Sequence, residues 1–317
     1  DNHINPMDMD ENYGLDENDD NLMTRIETKK SKAIQKKSEY LMSIIQCMIS
    51  TNDETTITPQ QKTLVDRCVQ NCYKEYLDHD FDPAYAPDFK DFQNELDKEK
   101  LLSEDGRQIA EGVEYYTRGS MDLFSHKTNV AYNNRFVVFN IRDLGAQLKQ
   151  IALLIVLDFI WNRMIENFTD GVRTYCYVDE IHVLFQNEFS ALFLAQLYKR
   201  GRKYGLVPTG ITQNVEDLLR SEMARGMIGN SEFIMMLSQA PEDLKILAKM
   251  LHISEAQMSY VDRSEPGSGL LFAEKVIVPF IDRFPKDSYL YDLMSTAFGE
   301  QKQDKAVPSF VKKQDAG

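Results

Sequence analysis

The stretch Thr174-Tyr175-Cys176-Tyr177-Val178-Asp179-Glu180 is a strand-forming run that ends in two adjacent carboxylates. In a parallel sheet the C-terminal ends of the strands face the ligand crevice. There Asp179 can hold a water ligand of Mg²⁺ while Glu180 polarises an attacking water, a division of labour that suits nucleotide hydrolysis. An acidic pair at a strand end is also an ordinary solvated feature, and that reading stands beside the first. The next apolar run, Val207-Pro208-Thr209-Gly210-Ile211-Thr212, ends in Gln213-Asn214. A side-chain amide both donates and accepts, so Gln213 can contact a γ-phosphate or its attacking water. Thr212 or Asn214 can equally cap the helix that follows. Between the two runs lies Tyr198-Lys199-Arg200-Gly201-Arg202-Lys203-Tyr204, with four basic residues in five positions. The planar forks of Arg200 and Arg202 match phosphate oxygens and can serve a nucleotide held by a neighbouring subunit. The same cations also suit the last turn of a helix closed by Gly205.

These residues need a scaffold of alternating strands and helices, and the sequence after Asn129 reads that way. Apolar runs predict strands at Arg135–Ile141, Thr174–Val178, Leu206–Thr212 and Glu232–Leu237. Helical patterns fall at about Gly145–Phe168, Glu188–Tyr204, Val215–Arg225 and Glu242–Leu251. Such alternation implies parallel βαβ units, whose strands are expected to be buried on both faces. Ser268–Phe272 and Lys275–Pro279 read as a late strand pair. Before Gly119 the pattern is helical instead. Leu41, Ile44, Ile45, Met48 and Ile49 share one helix face. Thr58-Pro59 opens a helix with a cap and a proline at the first position, Pro87-Asp88-Phe89 opens a third and Ser103–Tyr116 a fourth. The reading is a bundle of about four helices.

Composition sets the outer bounds. The chain has 317 residues, 36 basic and 50 acidic, for a net charge of −14, with 43 % hydrophobic residues, enough for a sizeable core. Eight of the acidic residues fall in 1–20, so the charge is concentrated in one segment. The acidic balance argues against a general DNA-coating protein, because phosphate affinity comes from clustered Lys and Arg, but leaves room for a local basic site. No run of 18 apolar residues occurs; the most apolar stretch, Ile151–Trp161, is too short to span a bilayer. Four cysteines do not make a disulfide scaffold and fit a reducing, cytoplasmic compartment. Cys68 and Cys72 share a helix face and read as buried thiols rather than metal ligands. His182, two residues beyond Glu180, is within reach of a bound nucleotide, but the favoured reading is a packed or exposed imidazole; Trp161 and Met235-Met236 read as core. The tail from Gln301 is polar.

YCYVDEIHVLF, LYKRGRKYG, TGITQNVEDLL, NSEFIMMLSQA and the later GLLF with VPFIDRFPKD resemble the C-terminal half of the conjugative-transfer ATPases of type IV secretion systems, the VirB-four and TraC-like proteins of the HerA–FtsK group. HINPMDMD, GSMDLFSHKTNV and LKQIALLIVLDFIW resemble the same family, so the likeness runs from His3 to about Ala297. It implies an α/β fold: a RecA-like P-loop NTPase lobe with an all-α helical-bundle insertion. The divisions would be 1–20 as the start of the lobe, 21–120 as the inserted bundle, 121–300 as the ATPase core and 301–317 as a flexible tail. It also implies Asp179 and Glu180 as the Walker B pair, with Asp179 toward Mg²⁺, Glu180 catalytic, and Gln213 as a glutamine sensor. Arg202, with Arg200 second, would be the arginine acting in trans. Thr212 and Asn230 would lie near the nucleotide. The implied cofactors are ATP and Mg²⁺. The implied partners are other secretion components such as the coupling protein and inner-membrane channel, and further copies of the chain in a hexamer at the inner face of the cell membrane; direct nucleic-acid contact would be weak. One element departs from the family pattern. None of the 317 residues forms the phosphate loop GxxxxGK[ST], whose backbone N–H groups and lysine hold the β- and γ-phosphates. The expectation is that this loop and the first strand precede Asp1, the alternative a degenerate, non-catalytic docking module.

Overall fold

Local capping chemistry starts three of the four N-terminal helices, α1 (Ile26–Ile49), α2 (Pro59–Asp78), α3 (Phe89–Lys100) and α4 (Glu104–Thr117). Thr58 and Gln61 form a reciprocal capping box ahead of α2, with the Gln61 N–H donating to Thr58 Oγ1 at 3.2 Å and the Thr58 N–H to Gln61 Oε1 at 3.0 Å. Asp88 does the same for α3 with Asp91, and Ser103 accepts from the Gly106 N–H at 3.0 Å to open α4. The computed structural model describes residues 2–14, 26–49, 57–130, 134–186, 188–273 and 276–294. Residues 15–20 of the acidic segment and the tail from Gln301 lie outside the described residues. The chain folds as two units, Asp1–Ile211 and Thr212–Gly317.

In the first unit the helices bury Leu41, Ile44, Ile45, Val65, Val69, Tyr73, Phe89, Phe92, Leu96, Ile109 and Val113 against one another. The N-terminal segment threads through the same core: Met7, Met9 and Tyr13 are buried, and Tyr73 and Tyr76 donate their hydroxyls to the carbonyls of Met7 and Met9. Asn5 is buried and pins the segment, donating from Nδ2 to Asp8 Oδ1 (2.8 Å) and to the Pro87 carbonyl (2.9 Å). Cys68 and Cys72 are unbridged thiols; burial pushes the Cys68 thiol up to about 12 and raises that of Cys72 as well.

The long helix α5 (Ala146–Thr169) joins this core through Ile151 and Ile155. It carries Asp158, which meets Lys37 of α1: Lys37 Nζ stands 3.5 Å from Asp158 Oδ2, and Tyr13 donates to Asp158 Oδ1 at 2.8 Å. Lys37, with its side chain 1 % exposed, also lies over the rings of Tyr13 and Tyr40 at 4.4 and 4.6 Å. Burial lowers the Lys37 pKa and raises that of Asp158, and each partner's charge opposes the other's shift.

α5 ends at Asp170-Gly171, where Gly171 takes φ 70° and turns the chain back. The chain then enters β1 (Thr174–Val178), which pairs in parallel with β2 (Leu206–Gly210), Thr174 opposite Leu206 and Val178 opposite Gly210. Between them run a 3-10 turn (Ile181–Gln186), α6 (Glu188–Arg200) and a second 3-10 turn (Gly201–Tyr204) closed by Gly205 at φ 65°. α5 and α6 cover one face of β1–β2, with Met164, Leu197, Tyr204 and Leu206 buried and Trp161, Phe193 and Cys176 packed alongside.

Two expectations fail in this unit. Arg135–Ile141 is not a strand: residues 137–141 carry no regular structure. Phe136 and Val138 are 82 % and 72 % exposed. An extended run becomes a strand only beside a partner ladder, and among the described residues none flanks it. Nor is β1 buried on both faces. Its side chains alternate, Cys176 toward the helices and Tyr175 and Tyr177 outward at 58 % and 67 % exposure.

The second unit contains α7 (Val215–Arg220), α8 (Glu222–Gly229), β3 (Phe233–Met236), α9 (Pro241–Leu251), α10 (Glu255–Met258), β4 (Ser268–Ala273), β5 (Val276–Ile281) and α11 (Tyr289–Met294). The sheet is antiparallel in the order β3-β4-β5. The expected late strand pair is therefore present, and β3 joins that pair rather than a parallel neighbour. Met236, Leu244, Leu247, Val261 and Leu270 form the core, whereas Met235 faces outward. Among the described residues no helix is long and apolar enough to cross a membrane.

Candidate functional site

The acidic pair sits where β1 runs out. The Ile211 N–H donates to the Val178 carbonyl and the Ile181 N–H to the Ile211 carbonyl, both at 2.9 Å, so the two strand ends are laced together around Asp179 and Glu180. Asp179 Oδ1 accepts the Glu180 N–H at 3.0 Å. Glu180 itself takes φ 49°, a left-handed backbone that a side-chain-bearing residue rarely adopts. Its carbonyl accepts the Val183 N–H at 3.0 Å, which starts the 3-10 turn.

That tight exit works because Gly210 leaves room. A Cβ there would stand 2.7 Å from Ile181 Cδ1 and 3.0 Å from the Tyr198 hydroxyl. Ile181 is fully buried. Burial also pushes the Tyr198 phenol up to about 12. The terminus of β2 is thus pressed directly onto the residue that follows the acid pair.

The Glu180 carboxylate is asymmetric. Oε2 is shut off from solvent and has no hydrogen-bond partner among the described residues, while the side chain as a whole is 41 % exposed. The solvent-facing surface therefore belongs to its other atoms. His182, 15 % exposed, places Nδ1 3.3 Å from Oε2. This lies within charge-pair reach, but the geometry falls outside a formed hydrogen bond. Asp179 is exposed. With Oδ1 already holding the Glu180 N–H, its second oxygen fits the single carboxylate contact through which a water-bound Mg²⁺ is held.

The basic cluster lies at the other end of the same strands. Arg200 ends α6 and Arg202 belongs to the 3-10 turn that precedes Gly205. The Gly205 carbonyl accepts the Thr174 N–H at 3.2 Å, at the very start of β1. Five residues of strand, roughly 16 Å at 3.3 Å per residue, separate that end from Asp179. Within one chain the arginines and the acid pair are held apart.

Thr212, Gln213 and Asn230 belong to the second unit. Thr212 Oγ1 accepts the Asn214 N–H at 3.1 Å, and Asn214 caps α7 by accepting the Asp217 N–H at 3.0 Å, so the capping role read from the sequence is present. Gln213 is exposed. Asn230 closes α8 and donates from Nδ2 to the Gly226 carbonyl at 2.9 Å. His182 and Gly210 were not singled out for this role by the sequence. The glycine at the tip of an otherwise β-branched run was the signal for a close approach; nothing in the sequence announced the backbone of Glu180.

A parallel pair of strands with carboxylates at its C-terminal edge, backed by helices on one face, defines an α/β protein with its candidate site at the strand ends. The family model of the TraG P-loop domain matches residues 9–263, and the chain belongs to that family. Among solved structures, VirB4 of Thermoanaerobacter pseudethanolicus is similar with a TM-score of 0.66 at 22 % identity, over 80 % of this chain and 70 % of that one, a likeness of fold. No curated protein sequence matches the chain.

Proposed function

We propose that the chain supplies the hydrolytic and sensing part of an ATPase of type IV secretion and conjugation, a RecA-like lobe with the helical bundle of residues 21–120 inserted in it. The observation that carries this reading is the Asp179–Glu180 pair at the C-terminal end of a parallel strand, with one Glu180 face open and a strained backbone behind it. Asp179 would hold Mg²⁺ through water, and the ion would supply charge for the phosphate oxygens. Glu180 would take the proton of the attacking water. Gln213 would sense the γ-phosphate, and Arg202, or Arg200 after it, would reach the site of a neighbouring copy in a hexamer at the inner face of the membrane. There the assembly would engage the coupling protein and inner-membrane channel. The motor reading requires in addition groups that grip the β- and γ-phosphates, and GxxxxGK[ST] occurs nowhere in these 317 residues. Substituting Glu180→Gln in the full-length protein is expected to lower ATP turnover by at least about 100-fold, the scale of a lost general base, with the far-UV spectrum unchanged. Turnover at the wild-type level would sink the assignment.

One observation favours a second reading, a docking module that does not hydrolyse ATP: the absence of GxxxxGK[ST] from the chain. Calorimetric titration of ATP–Mg²⁺ into the 317-residue chain is expected to show no binding tighter than about millimolar, near −4 kcal/mol. Micromolar binding would mean that these residues hold phosphate by another route. The two readings part on the full-length protein, where ATP turnover abolished by Glu180→Gln selects the motor.

A further inference from the structure

Glu180 presents two oxygens in two environments. Oε2 is sealed from solvent without a donor, a costly state for a carboxylate unless a polar or charged group compensates it. The solvent exposure of the side chain belongs to its remaining atoms. His182 Nδ1, 3.3 Å from Oε2, is placed by the backbone rather than by chance. The φ of 49° at Glu180 and the 3-10 turn Ile181–Gln186 fold residue 182 back over residue 180. Ile181, buried against Gly210 and bonded through its N–H to the Ile211 carbonyl, fixes that turn to the end of β2.

We propose that His182 is a positioning residue for Glu180: its Nδ1 holds Oε2, so that the carboxylate is fixed in one rotamer with Oε1 aimed at the attacking water. This rests on the hydrolytic reading given above and adds to it a residue that touches neither water nor phosphate. A base held in a single rotamer spends its time in the productive orientation, which raises the rate of the chemical step and leaves nucleotide affinity alone.

Two experiments test it. In the full-length protein, His182→Ala is expected to lower kcat for ATP about 10-fold with KM within twofold. His182→Gln, which keeps a side-chain N–H, recovers part of the loss, and His182→Ala adds nothing on a Glu180→Gln background. In the 317-residue chain without nucleotide, the ring ¹⁵N resonances of histidine-labelled protein give an independent readout. The chain has five histidines, and His182 is assigned by its loss in His182→Gln. Its Nδ1 signal is expected to move on Glu180→Gln and stay in place on Asp179→Asn. A kcat for His182→Ala within twofold of wild type, beside an inactive Glu180→Gln, overturns this proposal and leaves the hydrolytic reading intact. So does an Nδ1 signal indifferent to Glu180→Gln. A fully active Glu180→Gln overturns both. Should His182→Ala fail to fold by circular dichroism, the Glu180→Gln effect on the Nδ1 signal of the unsubstituted residue decides alone.

Discussion

Glu180 keeps a backbone conformation that costs on the order of 1–3 kcal/mol, and what maintains it is legible residue by residue. The Asp179 carboxylate accepts the Glu180 N–H, the Val183 N–H bonds to the Glu180 carbonyl, and Ile181 is locked to the end of β2. The last of these, Ile181, packs directly against Gly210, the residue that must be small. Replacing Gly210 with alanine forces a methyl to within 2.7 Å of Ile181 Cδ1, and overpacking of this kind costs about 1–3 kcal/mol. Gly226 is the matched control: it lies in α8 and a Cβ there would meet nothing within 4 Å, so Gly226→Ala is expected to gain up to about 1 kcal/mol from helix propensity. Urea denaturation of the two variants reads the difference directly. Equal midpoints would show that the end of β2 has more room than the packing at Gly210 indicates.

At the scale of elements, the junction of α1, α5 and the N-terminal segment is held by charge as well as by apolar contact. Lys37 and Asp158 are both drawn out of water, and Tyr13 adds a hydrogen bond to the carboxylate. Removing one partner leaves the other charge buried, so Lys37→Met is expected to cost about 3–5 kcal/mol. The pair Lys37→Met with Asp158→Leu is expected to recover most of that, because two apolar side chains replace the buried ions. Additive losses in the double-mutant cycle would show that the two charges do not interact. These elements also show what could be read in advance. Caps are local, so Thr58, Ser103 and Gly205 announced their helix ends in the sequence, and β1 could be bounded to the residue. The run Arg135–Ile141 has the same apolar character as β1 but no ladder beside it, and a ladder is a property of neighbours, not of the run. The outward faces of Tyr175, Tyr177 and Met235 were hidden for the same reason. Continuous hydrophobicity marks a strand without saying how many of its faces are covered. At the site, the acid pair was legible because chemistry follows residue type, whereas the placement of His182 beside Oε2 depends on a backbone angle that no spacing encodes.

For the whole molecule the decisive dimension is the length of β1 and β2. Asp179 and Glu180 cap one end, and Arg200 and Arg202 flank the other, roughly 16 Å away. A guanidinium cannot cross that distance within its own chain, so under the proposed motor an arginine that serves a phosphate would serve the site of another copy. In the proposed ring, head-to-tail packing would bring unlike ends of successive copies together, and each interface would join the acid pair of one copy to the arginines of the next. Mixing experiments separate this arrangement from one in which Arg202 has no catalytic part. Glu180→Gln and Arg202→Ala copies of the full-length protein are each expected to be inactive when assembled alone. In a random equimolar mixture, about one interface in four pairs an intact Glu180 with an intact Arg202, so roughly a quarter of wild-type turnover should return after co-assembly. The same mixture made with Arg200→Ala distinguishes the two arginines, since only the one that reaches across the interface gives an inactive parent and a partial recovery. Two inactive parents that stay inactive after co-assembly would place the arginine and the acid pair in service of the same chain, against the separation that the strands impose.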